Sequence, residues 1–250
     1  MPHLDEIVGY LDGYLKIGEI EDTSVNGLQV QGRGKVERIG FAVDACMETF
    51  KEADGRGADM LVVHHGLIWG GIKSVTGITY DRLKFLIENG ISLYAVHLPL
   101  DKHPEVGNNI QFLKLFDVSD IKEFGQYHGV NIGFMGEFKE EKVLGEFAEE
   151  VGNKLNTKPG VLDFGKEKIR KVGVVSGAAS SVISEAVEKV DVFVTGEVSH
   201  SVYHSAKDAR VNVIFAGHYA TETLGVKALA GVLEKEFGME TVFIDVPTGL

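Results

Sequence analysis

Two hydrophobic patterns alternate along this chain, one with helical spacing and one of short continuous apolar runs. Near the start, Leu4, Ile7, Val8, Leu11 and Leu15 recur at helical spacing, which predicts an amphipathic helix. A turn at "NGLQV" (26–30) enters an extended segment, and "RIGFAVD" (38–44) follows as a strand. "ETFKEADGRG" (48–57) predicts a short helix ended by glycine, and "DMLVVHH" (59–65) the next strand. "TYDRLKFLIENG" (79–90) then reads as a helix and "ISLYAVH" (91–97) as a third strand. Such alternation argues for parallel strands joined by crossover helices.

The second half repeats the pattern. "KVGVVSG" (171–177) resembles "RIGFAVD", "ISEAVEKV" (183–190) supplies a helix, and "DVFVTGE" (191–197) stands where "DMLVVHH" stood. "VNVIFAGH" (211–218) takes the place of "ISLYAVH". Asp44 to Asp59 is fifteen residues, as is Ser176 to Asp191. Between its second and third strands the first half has about twelve residues more, the length of "GLIWGGIKSVTG" (66–77). Any two strand–helix–strand units share valine, isoleucine and glycine content, so the matched spacings carry the reading of an internal duplication. Segment 126–167 fits neither half. It holds a strand-like "VNIGFMGEF", then Leu144, Phe147, Ala148, Val151 and Leu155 at helical spacing, closed by "NTKPG". The expected class is α/β, with two related subdomains, 1–125 and 168–250, around an inserted segment, 126–167.

Composition narrows the functional classes. Of 250 residues, 44% are hydrophobic and 25% charged, enough for a sizeable core. Thirty-seven acids against 25 bases give a net charge of −12, which disfavours nucleic acid and anionic membranes as partners. The single cysteine, Cys46, cannot form an internal disulfide and suits a reducing cytoplasm. The acidic start "MPHLDEIVGYLDGYL" is unlike a signal peptide, and no apolar run approaches the roughly 20 residues of a membrane span. A cytoplasmic location is the expectation.

In open α/β sheets ligands bind beyond the carboxyl ends of the strands. There the first half offers Asp44, His64 with His65, and His97 followed by Asp101; the second offers Glu197, then His218 and Glu222 in "GHYATE". Leu229, Val232, Leu233 and Phe237 mark a helix beginning near residue 220, so His218 and Glu222, four apart, share a face if the helix starts early enough. The alternative makes Thr221 an N-cap and Glu222 a first-turn acid. His64, His65, Asp101, His218 and Glu222 together form a nitrogen and oxygen donor set without thiolate, suited to zinc, iron, manganese or nickel. Five ligands exceed the need of one catalytic zinc but suit two ions roughly 3.5–4 Å apart bridged by a carboxylate. His97 and Glu197 are weaker candidates, as supports for the ligands or as a general acid or base. His3, His103, His128, His200 and His204 are scattered and read as structural. No phosphate-loop lysine–serine pair and no GxSxG elbow occurs.

"NGLQV", "VVHHGLIWGG", "AVHLPLD…GNN", "VTGEVSH" and "GHYATE" resemble, in order and over nearly the whole length, the NGG-interacting-factor-like family. Its members are commonly labelled GTP cyclohydrolase I type 2 homologues. The resemblance implies two related α/β subdomains, a dinuclear metal centre at their junction and a toroidal homohexamer. It matches His64, His65, Asp101, His218 and Glu222 to the family's metal ligands, with Glu222 as the bridging carboxylate. The chain departs from many bacterial members in having Gly66, not proline, after the double histidine. The implied activity is hydrolysis with two divalent metals on a small molecule, by label opening of the guanine imidazole ring of GTP with loss of formate. The competing expectation is a protein that stores or delivers metal, or a ring-shaped scaffold, without turnover.

Overall fold

The computed structural model describes residues 2–72 and 74–250. In chain order the elements begin with α1 (Leu4–Leu15), β1 (Gly27–Val30), β2 (Arg38–Asp44), α2 (Met47–Gly55), β3 (Met60–His65), α3 (Gly77–Asn89) and β4 (Ser92–Ala95). Next come α4 (Leu98–Asp101), α5 (Asn108–Leu115), β5 (Val118–Tyr127), β6 (Val130–Val143), α6 (Leu144–Leu155), β7 (Gly160–Asp163) and β8 (Lys168–Val174). The chain ends with α7 (Ile183–Lys189), β9 (Val192–Thr195), α8 (His200–Ala209), β10 (Asn212–Phe215), α9 (His218–Phe237) and β11 (Glu240–Phe243). The elements read from hydrophobic spacing are all present. Those not anticipated, β5, β7, β11, α4, α5 and α8, are mostly short or carry many polar positions.

The chain forms two compact units, residues 1–100 with 226–246 and residues 101–225 with 247–250. These limits differ from the expected 1–125, 126–167 and 168–250, because strand pairing cuts across sequence order. Segment 126–167 is not separate: β6 pairs with β8, and β7 pairs with β10. β11, from the end of the chain, pairs with β2.

In the first unit the sheet order is β1-β4-β3-β2-β11, with only β1 antiparallel. β2, β3 and β4 are buried along almost their whole length, as a parallel sheet covered on both faces requires. One core cluster joins Leu61, Val63, Leu93 and Ala95 of the strands to Phe50 and Leu86 of the helices. α1 buries Leu4, Ile7, Leu11 and Leu15, the stripe its spacing predicts apart from Val8.

In the second unit the order is β5-β6-β8-β9-β10-β7, with β8, β9 and β10 parallel. β5 and β6 form a hairpin whose two turn residues, His128 and Gly129, both have positive φ, the backbone a tight hairpin of this twist needs. Phe112, Phe116, Phe134, Phe138 and Phe147 pack with Val172, Val192 and Ile214 in its core.

The duplication extends to individual hydrogen bonds. Asp59 Oδ2 accepts the backbone N–H groups of Glu37 at 2.8 Å and Arg38 at 3.3 Å; Asp191 Oδ2 accepts those of Arg170 at 3.0 Å and Lys171 at 2.9 Å. Each aspartate also pairs with a cation, Asp59 with Arg33 and Asp191 with Lys166. The first residue of the third parallel strand accepts a glycine N–H in both units, Ser92 from Gly32 and Asn212 from Gly165. An antiparallel strand flanks that third strand in each, β1 beside β4 and β7 beside β10.

Candidate metal centre

Asp44, His65 and His97 lie at or just beyond the ends of β2, β3 and β4. β3 stops at His65, opposite Asp44, and the His65 carbonyl accepts the Ala45 N–H, so the pleat ends there. Consecutive histidines can thereby turn towards one place. The rings of His64, His65 and His97 lie 4.8, 5.1 and 5.6 Å apart in pairs. One ring nitrogen from each falls within 4.8 Å of the others, a spacing that can hold a cation.

Each imidazole is held through Nδ1. His64 Nδ1 is 3.0 Å from the Val96 carbonyl, which can only accept, so Nδ1 carries the proton. His65 Nδ1 meets Asp44 Oδ1 at 2.8 Å, and His97 Nδ1 meets Asp22 at 3.0 and 3.1 Å. A proton on Nδ1 leaves Nε2 with the lone pair that binds metals. Asp22 was not anticipated, though the Asp-x-Ser turn in "EDTSVNG" was the signal for it. Its carboxylate accepts the Ser24 and Leu98 N–H groups, while the Asn26 amide oxygen accepts the His97 N–H. Burial pushes the Asp22 carboxyl up, but the His97 contact and the Ser24 and Asn26 donors outweigh it and bring it down to about 2.

Loop 66–77, of which Lys73 lies outside the described residues, borders this cluster. Gln29 Oε1 accepts the Leu67 and Ile68 N–H groups, and Trp69 Nε1 donates to the Gly66 carbonyl at 3.0 Å. The indole lies 5.0 Å from the His97 ring, edge to face, and 6.1 Å from the His65 ring. Gly66 lies beneath Gln29, where a Cβ would come 2.5 Å from the Ala95 Cβ.

In the second unit α9 begins at His218, early enough that His218 and Glu222 face each other, with Nε2 3.0 Å from Oε1. Thr221 does not cap the helix: its hydroxyl donates back to the Gly217 and His218 carbonyls and accepts the Gly177 N–H. Gly177, at φ +64°, leaves the space beside Glu222 that a Cβ would occupy. His218 Nδ1 meets Glu197 Oε1 at 2.5 Å. The ring thus lies between two carboxylate oxygens, a place for an imidazolium or for an imidazole sharing a cation with Glu222.

Asp101 and Glu222 are buried, at 4% and 2% exposure. Asp101 Oδ1 accepts 2.8 Å hydrogen bonds from Asn108 Nδ2 and Ser176 Oγ. Asn108 Oδ1 takes the Gly225 N–H of α9, and Asn109 Oδ1 takes the Ser176 N–H. Spacing alone gave no role to Asn108, Asn109 or Ser176. A cavity of about 600 Å³ opens beside Glu197, with Lys158, Phe215 and Gly217 among its walls, a volume suited to a small organic molecule.

His103 Nδ1 accepts the N–H groups of Glu105 and Val106, a structural role as expected. His200 and His204 are exposed on α8. No helix among the described residues is long and apolar enough to cross a membrane.

The chain matches the family model described as Duf34/NIF3 (NGG1p interacting factor 3) over residues 2–249. A protein of Pyrococcus horikoshii named GTP cyclohydrolase 1 type 2 homolog is 54% identical over 247 residues, 98% of this chain and 99% of that protein. A protein of the same name from Pyrococcus abyssi is 52% identical over 247 residues, with the same coverage. The crystal structure of the protein TTHA1606 from Thermus thermophilus superposes with a TM-score of 0.91 at 42% identity, over all of both chains.

Proposed function

The chain belongs to the Duf34/NIF3 family, and from that premise we propose that it is a hydrolase working with two divalent metal ions. One observation carries the reading. His64, His65, His97 and His218 each have Nδ1 against an oxygen of Val96, Asp44, Asp22 or Glu197, the support given to metal-ligating histidines. His64, His65, Asp101, His218 and Glu222 would hold the ions. These nitrogen and oxygen donors fit zinc, iron, manganese or nickel. Bound ions of this kind make water acidic enough to act as a nucleophile near neutral pH and polarise the group it attacks.

The chain's own groups supply the rest. His97 backed by Asp22 forms a histidine–carboxylate pair that can take a proton at Nε2 while the carboxylate stabilises the imidazolium. Asp22, held down to about 2, stays ionised across the working range of such a base. Glu197 orients His218 and lines the cavity, so a substrate there would meet it directly. The relatives' name makes a nucleotide the first substrate to test. The family resemblance further supports a homohexamer, and the lone cysteine supports action in the cytoplasm.

The test is elemental analysis of protein purified without added metal, then a screen of nucleotides and phosphoesters with and without chelator. Two divalent ions per chain and chelator-sensitive hydrolysis are expected. Metal without turnover of any substrate would favour storage or delivery. Light scattering giving a mass near the 27.2 kDa monomer would refute the hexamer.

A further inference from the structure

We infer that Trp69 is a stacking platform for the planar ring of a heteroaromatic substrate. The inference rests on the hydrolase reading above and names the substrate class for that site. Trp69 is the chain's single tryptophan, and 42% of it is exposed although a residue of its size and apolarity is usually well covered. Its exposure does not come from looseness. The Ser24–Trp69 bridge, the Gly70 N–H to the Thr23 carbonyl and the Val25 N–H to the Ile68 carbonyl tie this stretch to 23–25 on both sides of the indole. Gly70 and Gly71, both at positive φ, turn the chain away immediately afterwards.

The indole's one polar handle is already used, since Nε1 donates to the Gly66 carbonyl. What Trp69 offers an incoming molecule is therefore its π surface. That surface is placed at the imidazoles, 5.0 Å from His97 and 6.1 Å from His65 between ring centres. A protein surface seated on the indole would also cover those imidazoles, which must stay open to reactants. A flat ring of ligand size avoids that conflict. Purine-like heterocycles match, because stacking on an aromatic face needs no particular donor or acceptor pattern. Among the described residues the second unit has no counterpart of this loop, so the platform belongs to one repeat only.

The single tryptophan makes the site self-reporting. Guanosine, adenosine and ribose 5-phosphate would be titrated into the metal-loaded protein while its intrinsic fluorescence is recorded. Saturable quenching by the two nucleosides and none by the sugar phosphate, which lacks a heteroaromatic base, is expected. Calorimetry with Trp69→Ala should then show guanosine affinity about tenfold weaker or worse, whereas Trp69→Phe stays within about threefold of wild type. Metal content should be unchanged in both variants. Guanosine binding to Trp69→Ala at wild-type strength would overturn the proposal, as would fluorescence indifferent to either nucleoside. A Trp69→Ala chain that loses its oligomeric mass in light scattering would overturn it too, by making Trp69 a subunit contact. Failure of the hydrolase reading would look different: nucleosides would still quench the fluorescence, but no metal would be found and no phosphoester or nucleotide hydrolysed.

Discussion

Ser176→Ala removes one hydroxyl and tests whether Asp101 is held ready for a metal. Ser176 Oγ and Asn108 Nδ2 both donate to the same oxygen of Asp101, each at 2.8 Å, in a buried setting. Two donors on Oδ1 fix the plane of the carboxylate and aim its second oxygen elsewhere. A hydrogen bond to a charged acceptor contributes about 1.5–3 kcal/mol, so the metal-free variant should lose about that much stability. The Ser176 backbone N–H keeps its 2.7 Å bond to Asn109, and alanine leaves no new polar group unsatisfied, so the fold should survive. Support of this kind changes metal affinity by about 10- to 100-fold, and with one of two donors remaining the lower figure is expected. The assay is zinc competition against a chromophoric chelator, with thermal unfolding of the metal-stripped protein measured alongside. Asn108→Ala should be worse on both counts, because Asn108 also takes the Gly225 N–H at 2.6 Å and its loss leaves that donor without its acceptor. Zinc affinity within twofold of wild type in the folded Ser176→Ala protein would refute the positioning argument and weaken the case for Asp101 as a ligand.

Glu222→Gln should remain folded yet bind less metal and lose any hydrolysis, since glutamine keeps the size but supplies neither the charge nor two good ligand oxygens; wild-type metal per subunit would remove Glu222 from the set. For Asp22, the folded carboxyl titrates at about 2, below its ordinary value of 3.8, so its stabilisation is complete above pH 4 and fades as pH falls towards 2. Asp22→Asn should therefore lose about 2 kcal/mol at neutral pH, and its acid-unfolding curve should converge on the wild type near pH 2. Gly66→Ala would set a Cβ 2.5 Å from the Ala95 Cβ and against Gln29, costing about 1–3 kcal/mol in urea unfolding; a neutral result would mean that the loop gives way freely.

The sequence carried those parts of the fold that depend on local pattern. β2, β3, β4 and α6 were readable because their apolar runs are continuous or helically spaced. β11 was not, for "ETVF" is half-exposed and joins β2 across nearly the whole chain. β7 has the same difficulty, being mostly exposed along its length. Such edge strands are specified by their partner's open edge, and no period in their own residues announces it. At the candidate site the histidines were visible as chemistry at strand ends. Their supports were not. Asp22 reaches His97 from a loop 75 residues away, and Ser176 reaches Asp101 over the same separation. Nothing in the local spacing of those residues announces contacts made over 75 positions.

The matched aspartates offer the strictest test of the duplication as a physical device, beyond likeness of shape. Asp59 and Asp191 stand before the second parallel strand of their units and are mostly buried, with side chains 17% and 18% exposed. Each carboxylate gathers two successive backbone N–H groups of the neighbouring strand, at the start of β2 in the first unit and at the third and fourth residues of β8 in the second. Asp191 is held below the usual carboxylate range: burial raises it, but the Lys171 and Arg170 N–H groups and Lys166 prevail. Its contribution is thus present at neutral pH and lost in acid. Replacing either aspartate with alanine removes two hydrogen bonds to a charged acceptor, each worth about 1.5 kcal/mol, the low end for such bonds because the carboxylates are partly exposed. Hydrogen exchange reads each unit separately and needs no assumption that they unfold together. In Asp59→Ala the Glu37 and Arg38 amides should exchange about tenfold faster or more, and in Asp191→Ala the Arg170 and Lys171 amides should do the same. Each variant should leave the other unit's pair near wild-type protection. If Asp191→Ala loosens its pair while Asp59→Ala leaves Glu37 and Arg38 protected, the two sites are alike in geometry only.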